Sequence, residues 1–347
     1  MPRAFVPLFL FIVMMWPLPA PAQNAGSGAP TNPKAQKTYA EARDQTRHMS
    51  LQDRLDKYRK ADKQDAHHCF DCAMQAATLA LRLGQNDLAR DEAVEMEALA
   101  RTTSQQGDAY LLEGVALLNT GMMKHHDRDF ADADITLQKA FAIDGSSPYA
   151  LYEDGVALAY LHRDDDARAR FQAFCNKTPA DTVDKVRARR YIARPELARE
   201  RMAPAFAITT LDGHRIALDS LQGKVVLLDF WATWCGPCRE ALPRIQNITN
   251  KFAGQPLVVL SVSLDSDDAR WRAFVDSHHM TWPQYRDGTT GGQMARIFGV
   301  HAIPATFTID ADGVLEDQHV GDAAIEGKLK KLVEQTRERA APQVAAN

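Results

Sequence analysis

The stretch that decides the fold is Lys224-Val-Val-Leu-Leu-Asp-Phe-Trp-Ala-Thr-Trp-Cys-Gly-Pro-Cys238. Its first half is a short apolar run, the pattern of a strand buried on both faces. Its second half, Trp234-Cys-Gly-Pro-Cys238, is a Cys-x-x-Cys turn that opens a helix. Pro237 suits the first helical turn, because it has no N–H to leave unpaired and its φ is already helical. Cys235 then stands at the helix start and Cys238 one turn later on the same face. The thiolate is the species that attacks a disulfide, and the positive end of a helix lowers a thiol's pKa. The expected centre is therefore a thiol–disulfide exchange site. Cys235, read as the more exposed, attacks, and Cys238, read as the deeper, resolves the mixed disulfide.

Working outward, Ala205–Thr210, the turn Leu211-Asp-Gly-His214 and Arg215–Leu218 read as a β-hairpin. Downstream come a strand over Pro256–Leu264, a helix over Asp268–His278, a helix near 291–298 and a strand over Ala305–Asp310. A turn at Ala311-Asp-Gly313, a strand over Val314–His319 and a last helix over Ala323–Arg337 complete an α/β sandwich around a mixed sheet.

Trp231-Ala-Thr-Trp-Cys-Gly-Pro-Cys-Arg239, the hairpin, Ser261-Val-Ser-Leu-Asp265, Met280-Thr-Trp-Pro-Gln-Tyr285 and Gly299-Val-His-Ala-Ile-Pro-Ala-Thr306 occur in one order with consistent gaps. In that order residues 203–338 resemble the thioredoxin-like superfamily, in its extracytoplasmic TlpA/ResA-like branch. The resemblance implies a cis Ile303–Pro304 peptide facing the dithiol, with Trp234, Gly236, Pro237 and Ile303 meeting the substrate segment. Asp229 matches the buried acid of thioredoxin proper, where the TlpA-like branch more often carries an amide. A carboxylate buried behind the dithiol has a raised pKa and can take the proton of Cys238; the competing reading is an acid satisfied by Lys224 or a water. Several relatives place a glutamate three residues past the second cysteine, where this chain has Ala241 after Glu240, so that role is not carried over. The Pro-x-x-x-Thr-x-x-Cys setting of thiol peroxidases is absent. A lone Cys-x-x-Cys can be half a zinc site, but this flanking sequence argues against it, and neither a metal nor another cofactor is expected in the protein.

Residues 50–202 carry apolar residues at helical spacing, with helices expected near 51–63, 66–83, 86–103, 106–120, 129–143, 148–162, 165–176 and 182–201. Ala89/Ala93/Met96, Ala133/Leu137/Ala140 and Ala167/Phe171/Phe174 repeat one pattern. The step from Ala133 to Ala167 is the tetratricopeptide period, and Met122-Met-Lys-His-His-Asp-Arg128 reads as an insertion that lengthens the step before it. Gly114-Val-Ala-Leu117 and Gly155-Val-Ala-Leu158 place a glycine where two helices approach closely. The region resembles a degenerate tetratricopeptide-like array, a partner-binding architecture; an unrelated helical bundle meets the same core demands.

The first 22 residues read as an export signal: Arg3, the apolar run Phe5–Trp16 and the small-residue site Ala20-Pro-Ala22. The apolar run is shorter than the ~20 residues that span a bilayer, though retention as an anchor is the alternative. Residues 23–49 read as a linker, with helix as an option toward its end, and 339–347 as a disordered tail. The expected protein is multidomain: an all-α repeat domain, then an α/β thioredoxin-fold domain, periplasmic and free of the membrane after cleavage.

At a net charge of −4 the chain has no electrostatic case for nucleic acid. Arg187, Arg189, Arg190, Arg194, Arg199 and Arg201 read as a solvated helix face. In His67-His-Cys-Phe-Asp-Cys72 a c-type haem site lacks its histidine, because Ala73 follows. A local Cys69–Cys72 disulfide is the main reading; zinc held with His67 or His68 and a remote His125 or His126, a second redox pair, and free thiols are the others. Cys175 reads as a buried thiol beside Phe171 and Phe174, and His278, His279 and His301 as surface histidines.

The favoured direction is reduction of protein disulfides, with oxidase or isomerase activity, or a repeat scaffold with a regulatory dithiol, as rivals. By resemblance, electrons would come from a membrane thiol-transfer protein of the DsbD/CcdA type, and clients would be disulfide-containing proteins such as apocytochromes c.

Overall fold

The computed structural model describes residues 28–344, except 47, 144–146, 180–181 and 322–324, and the side chains only as far as Ala340. The predicted export signal and its cleavage site lie outside the described residues. The chain divides into two compact units, the first ending at Arg199 and the second beginning at Glu200.

The first unit is a succession of helices, each packed mainly on the next. They are α1 (Pro33–Arg43), α2 (Leu51–Gln64), α3 (Phe70–Arg82), α4 (Asn86–Leu99), α5 (Thr103–Lys124), α6 (Asp127–Ala142), α7 (Tyr149–Tyr160), α8 (Asp164–Lys177) and α9 (Val183–Ala193), followed by a 3-10 turn over Pro195–Arg199. The three repeated apolar triplets are all buried. Both repeat glycines sit at close approaches. A Cβ on Gly114 of α5 would lie 2.5 Å from Leu137 of α6, and one on Gly155 of α7 would lie 2.8 Å from Phe171 of α8.

The structure corrects several readings. The segment read as a linker contains α1: the Asn32 side chain caps it at the N–H groups of Lys34 and Ala35, Pro33 opens it, and Ala35, Tyr39 and Ala42 are buried. The third helix starts at Phe70 rather than 66, because Ala66 and His67 take left-handed φ of 54° and 58°. Met122-Met-Lys is not an insertion but the last turn of the 22-residue α5, whose length stretches the repeat. The basic cluster is a solvated face only in part: Arg189 and Arg201 are exposed, but Arg187 and Arg190 are buried, and Arg199 donates to the Ala159 carbonyl and to Asp164.

The second unit opens with an antiparallel hairpin, β1 (Ala207–Thr209) and β2 (Arg215–Ala217). Its main sheet has the order β5-β4-β3-β6-β7. The strands are β3 (Val225–Trp231), β4 (Leu257–Ser263), β5 (Gln284–Arg286), β6 (Ala305–Ile309) and β7 (Leu315–Val320). β3, β4 and β5 run parallel, while β6 runs antiparallel to β3 and to β7. The helices are α10 (Gly236–Lys251), α11 (Asp268–Ser277), α12 (Gln293–Ile297) and α13 (Glu326–Val344).

Every residue of β3 is buried, as its unbroken apolar run requires. Val226, Leu228 and Phe230 pack with Phe298 and Phe307 on one face. Val225, Leu227 and Trp231 pack on the other with Cys235, Cys238, Ile245, Trp271 and Leu329. By the strand's alternation Asp229 shares that second face. The expected disordered tail is corrected too: α13 continues to Val344, since the Glu-, Arg- and Ala-rich sequence after Val333 favours helix. Among the described residues no helix is long and apolar enough to cross a membrane.

Candidate active site

The central strand delivers the chain to α10, with Cys235 as the helix N-cap. Its Sγ accepts the Cys238 backbone N–H at 3.2 Å, and the two sulfurs are bonded at 2.01 Å. Cys235 Sγ also lies 3.9 Å from the carbonyl oxygen of Ile303. A segment 68 residues downstream thus comes up against the first cysteine; its Ile303–Pro304 peptide is cis.

Exposure does not separate the two sulfurs, contrary to the sequence reading. Cys235 is 6% exposed and Cys238 5%. What distinguishes Cys235 is its place at the cap, where the helix's unpaired N–H groups stabilise negative charge on sulfur. The open part is the rim. Trp234 is 58% exposed, Pro237 is exposed, and a Cβ on Gly236 would meet nothing within 4 Å.

The loop between β3 and Cys235 is held by a bracket that sequence reasoning missed. The buried carboxylate of Asp265 accepts from the Thr233 N–H at 2.9 Å, the Thr233 hydroxyl at 2.6 Å and the Ser263 hydroxyl at 2.7 Å. A signal was present: Ser261 and Ser263 alternate in an otherwise apolar strand, and buried hydroxyls need partners. Ser261 serves the other network. Trp282 Nε1 donates to Ser261 Oγ at 2.9 Å, and Ser261 Oγ donates to Asp229 Oδ2 at 3.0 Å.

Asp229 is buried on the face of β3 whose apolar residues pack with Cys235 and Cys238, with Ser261 as its neighbour on β4 and Thr306 on β6. Burial pushes its carboxyl up from 3.8 to about 6, while the Ser261 hydrogen bond and the Arg244 charge pull the other way. Lys224 is at the strand's far end and makes no ion pair to Asp229. The Thr306 hydroxyl is buried without a partner.

A second disulfide lies in the helical unit. Cys69 caps α3, its Sγ accepts the Cys72 N–H at 3.1 Å, and the sulfurs are bonded at 2.04 Å. These sulfurs are spent on each other, so the four-ligand zinc alternative that used them is not formed. Both cysteines are fully buried, and no rim opens onto them. Cys175 is a free, buried thiol whose pKa burial raises. His278, His279 and His301 are exposed.

Fold and site together define a thioredoxin-type domain with a disulfide-bonded Cys-x-x-Cys pair at a helix N-terminus, the class of thiol–disulfide oxidoreductases. Residues 200–318 match the model of the AhpC/TSA family. The chain is 33% identical over 133 residues to the thiol-disulfide oxidoreductase ResA of Bacillus thuringiensis (strain Al Hakam), covering 38% of this chain and 76% of that protein. It is 36% identical over 133 residues, with the same shares, to the thioredoxin-like protein YneN of Bacillus subtilis (strain 168). A solved thiol-disulfide oxidoreductase from Bacteroides fragilis NCTC 9343 overlays 38% of this chain and 99% of its own, at 24% identity and a TM-score of 0.36. The chain belongs to the ResA-like family of thioredoxin-fold thiol–disulfide oxidoreductases.

Proposed function

We propose that the protein is an exported reductase of protein disulfides, periplasmic after removal of residues 1–22. The observation that carries this reading is Cys235 capping α10 beneath an open rim, with the Ile303 carbonyl against its sulfur. The Cys235 thiolate attacks one sulfur of a client disulfide and forms a mixed disulfide. The other client sulfur leaves as thiolate and takes a proton from solvent. Cys238 gives its proton to Asp229 and attacks Cys235 Sγ. That step releases the second client sulfur as thiolate, which takes a proton from solvent, and leaves the Cys235–Cys238 disulfide. Two electrons have passed to the client, and a membrane thiol-transfer protein of the DsbD/CcdA type restores the dithiol.

The direction rests on charge. A buried carboxylate behind the sulfurs opposes thiolate, which favours the disulfide form and makes the dithiol a better donor. The helical unit, read as a tetratricopeptide-like array, would hold the client or donor. The deciding measurement is the equilibrium reduction potential of Cys235–Cys238, followed by the fluorescence of the adjoining Trp234 in graded dithiol buffers. A value near about −270 mV supports a reductase, whereas one near about −120 mV makes the protein an oxidant and refutes the direction.

A further inference from the structure

In the helical unit three side chains converge that the thiol chemistry does not use: Asp62 of α2, His67 in the turn before α3, and Glu95 of α4. His67 Nδ1 lies 2.6 Å from Asp62 Oδ2 and 3.0 Å from Glu95 Oε1. One donor atom from each residue falls within 4.8 Å of the others. An imidazole nitrogen carries at most one proton, so the two crowding carboxylate oxygens have to share it.

The cluster is built rather than incidental. Asp62 is 3% exposed, and its second oxygen accepts the Cys69 backbone N–H at 3.3 Å. The disulfide turn thus fixes that carboxylate from behind. Arg59 is engaged by Glu92 at 2.9 Å, so its charge is already answered beside the site. His67 is exposed, which leaves a solvent side for an ion and its water ligands.

We propose that Asp62, His67 and Glu95 bind a divalent transition-metal ion of the Zn2+ type, which clamps α2 and α4 together. Ligand bonds of about 2.0–2.2 Å in a tetrahedral site separate ligand atoms by roughly 3.4 Å. The imidazole therefore has to withdraw from the two oxygens by less than about 1 Å. Nδ1 presents its lone pair, the ring proton sits on Nε2, and water from the open side completes the shell. One imidazole with two carboxylates suits Zn2+ and Co2+ rather than Ca2+ or Mg2+, which take oxygen ligands. The site rests on none of the Cys235–Cys238 chemistry.

The test is a Co2+ titration of the leaderless protein with both disulfides intact and no reductant, read by visible absorption and followed by displacement with Zn2+. One ion per chain is expected, displaced by one Zn2+, with a thermal midpoint that rises as Zn2+ is added. His67→Ala and Glu95→Gln, both at solvent-accessible positions and checked for folding by circular dichroism, should each weaken binding by at least about tenfold. A Cys235→Ser/Cys238→Ser protein should bind as the parent does. Absence of stoichiometric binding, binding that both single variants retain, or binding that appears only after reductant frees the Cys69 and Cys72 thiols would each overturn the proposal.

Discussion

Asp229→Asn separates the electrostatic role of the buried acid from its packing. The native carboxyl titrates near pH 6 against an ordinary 3.8. Between those values the unfolded chain releases a proton that the folded chain keeps, so stability falls as pH rises. Above about pH 6 the loss is complete and amounts to about 3 kcal/mol. An asparagine has no charge to bury. It can accept from Ser261 on one side and donate one of its two N–H groups to the unpartnered Thr306 hydroxyl on the other. The variant should match the parent below about pH 4 and exceed it by about 2–3 kcal/mol at neutral pH. Trp231, Trp234, Trp271 and Trp282 all lie in the second unit, so their fluorescence in urea melts from acid to neutral pH follows that unit alone. In single-turnover assays, resolution of the mixed disulfide should be slower and lose its inflection near pH 6. A stability gap of constant size at every pH would refute the argument.

Asp265→Ala removes three buried hydrogen bonds around Thr233; it should cost about 2–4 kcal/mol in tryptophan-monitored melts and slow disulfide exchange. Gly155→Ala drives a Cβ against the Phe171 ring and should destabilise the helical unit by about 1–3 kcal/mol, seen in far-ultraviolet circular dichroism with the tryptophan transition unmoved. Cys69→Ala/Cys72→Ala opens a short loop and should cost the same unit about 2 kcal/mol, leaving the Cys235–Cys238 potential unchanged.

The strand–turn–helix from Lys224 to Lys251 was legible because local signals agreed there: an apolar run, a proline suited to a first turn and thiols one turn apart. The glycine contacts at Leu137 and Phe171 were legible for a similar reason, since a repeated glycine in an apolar helix implies a close neighbour. Features that depend on depth were not. Cys235 and Cys238 are equally buried because the 303–304 segment comes up against the first of them, and the linear sequence does not say how far that segment closes. Arg187 and Arg190 carry the composition of a surface but lie at the packed end of the array. The Asp265 bracket and the Asp62–His67–Glu95 cluster join residues from separate elements, whose meeting is a product of tertiary packing.

Two bridged cysteine pairs and one sequestered thiol leave the oxidised, folded chain with no thiol that an alkylating reagent can readily reach. Reagent mass should therefore appear in steps of two. The first step belongs to the pair beneath the Trp234 rim, and the second comes only when the helices around Cys69 loosen. A mass spectrum of protein trapped with alkylating reagent inside living cells would then count, molecule by molecule, how many copies are loaded with electrons and how many have been spent.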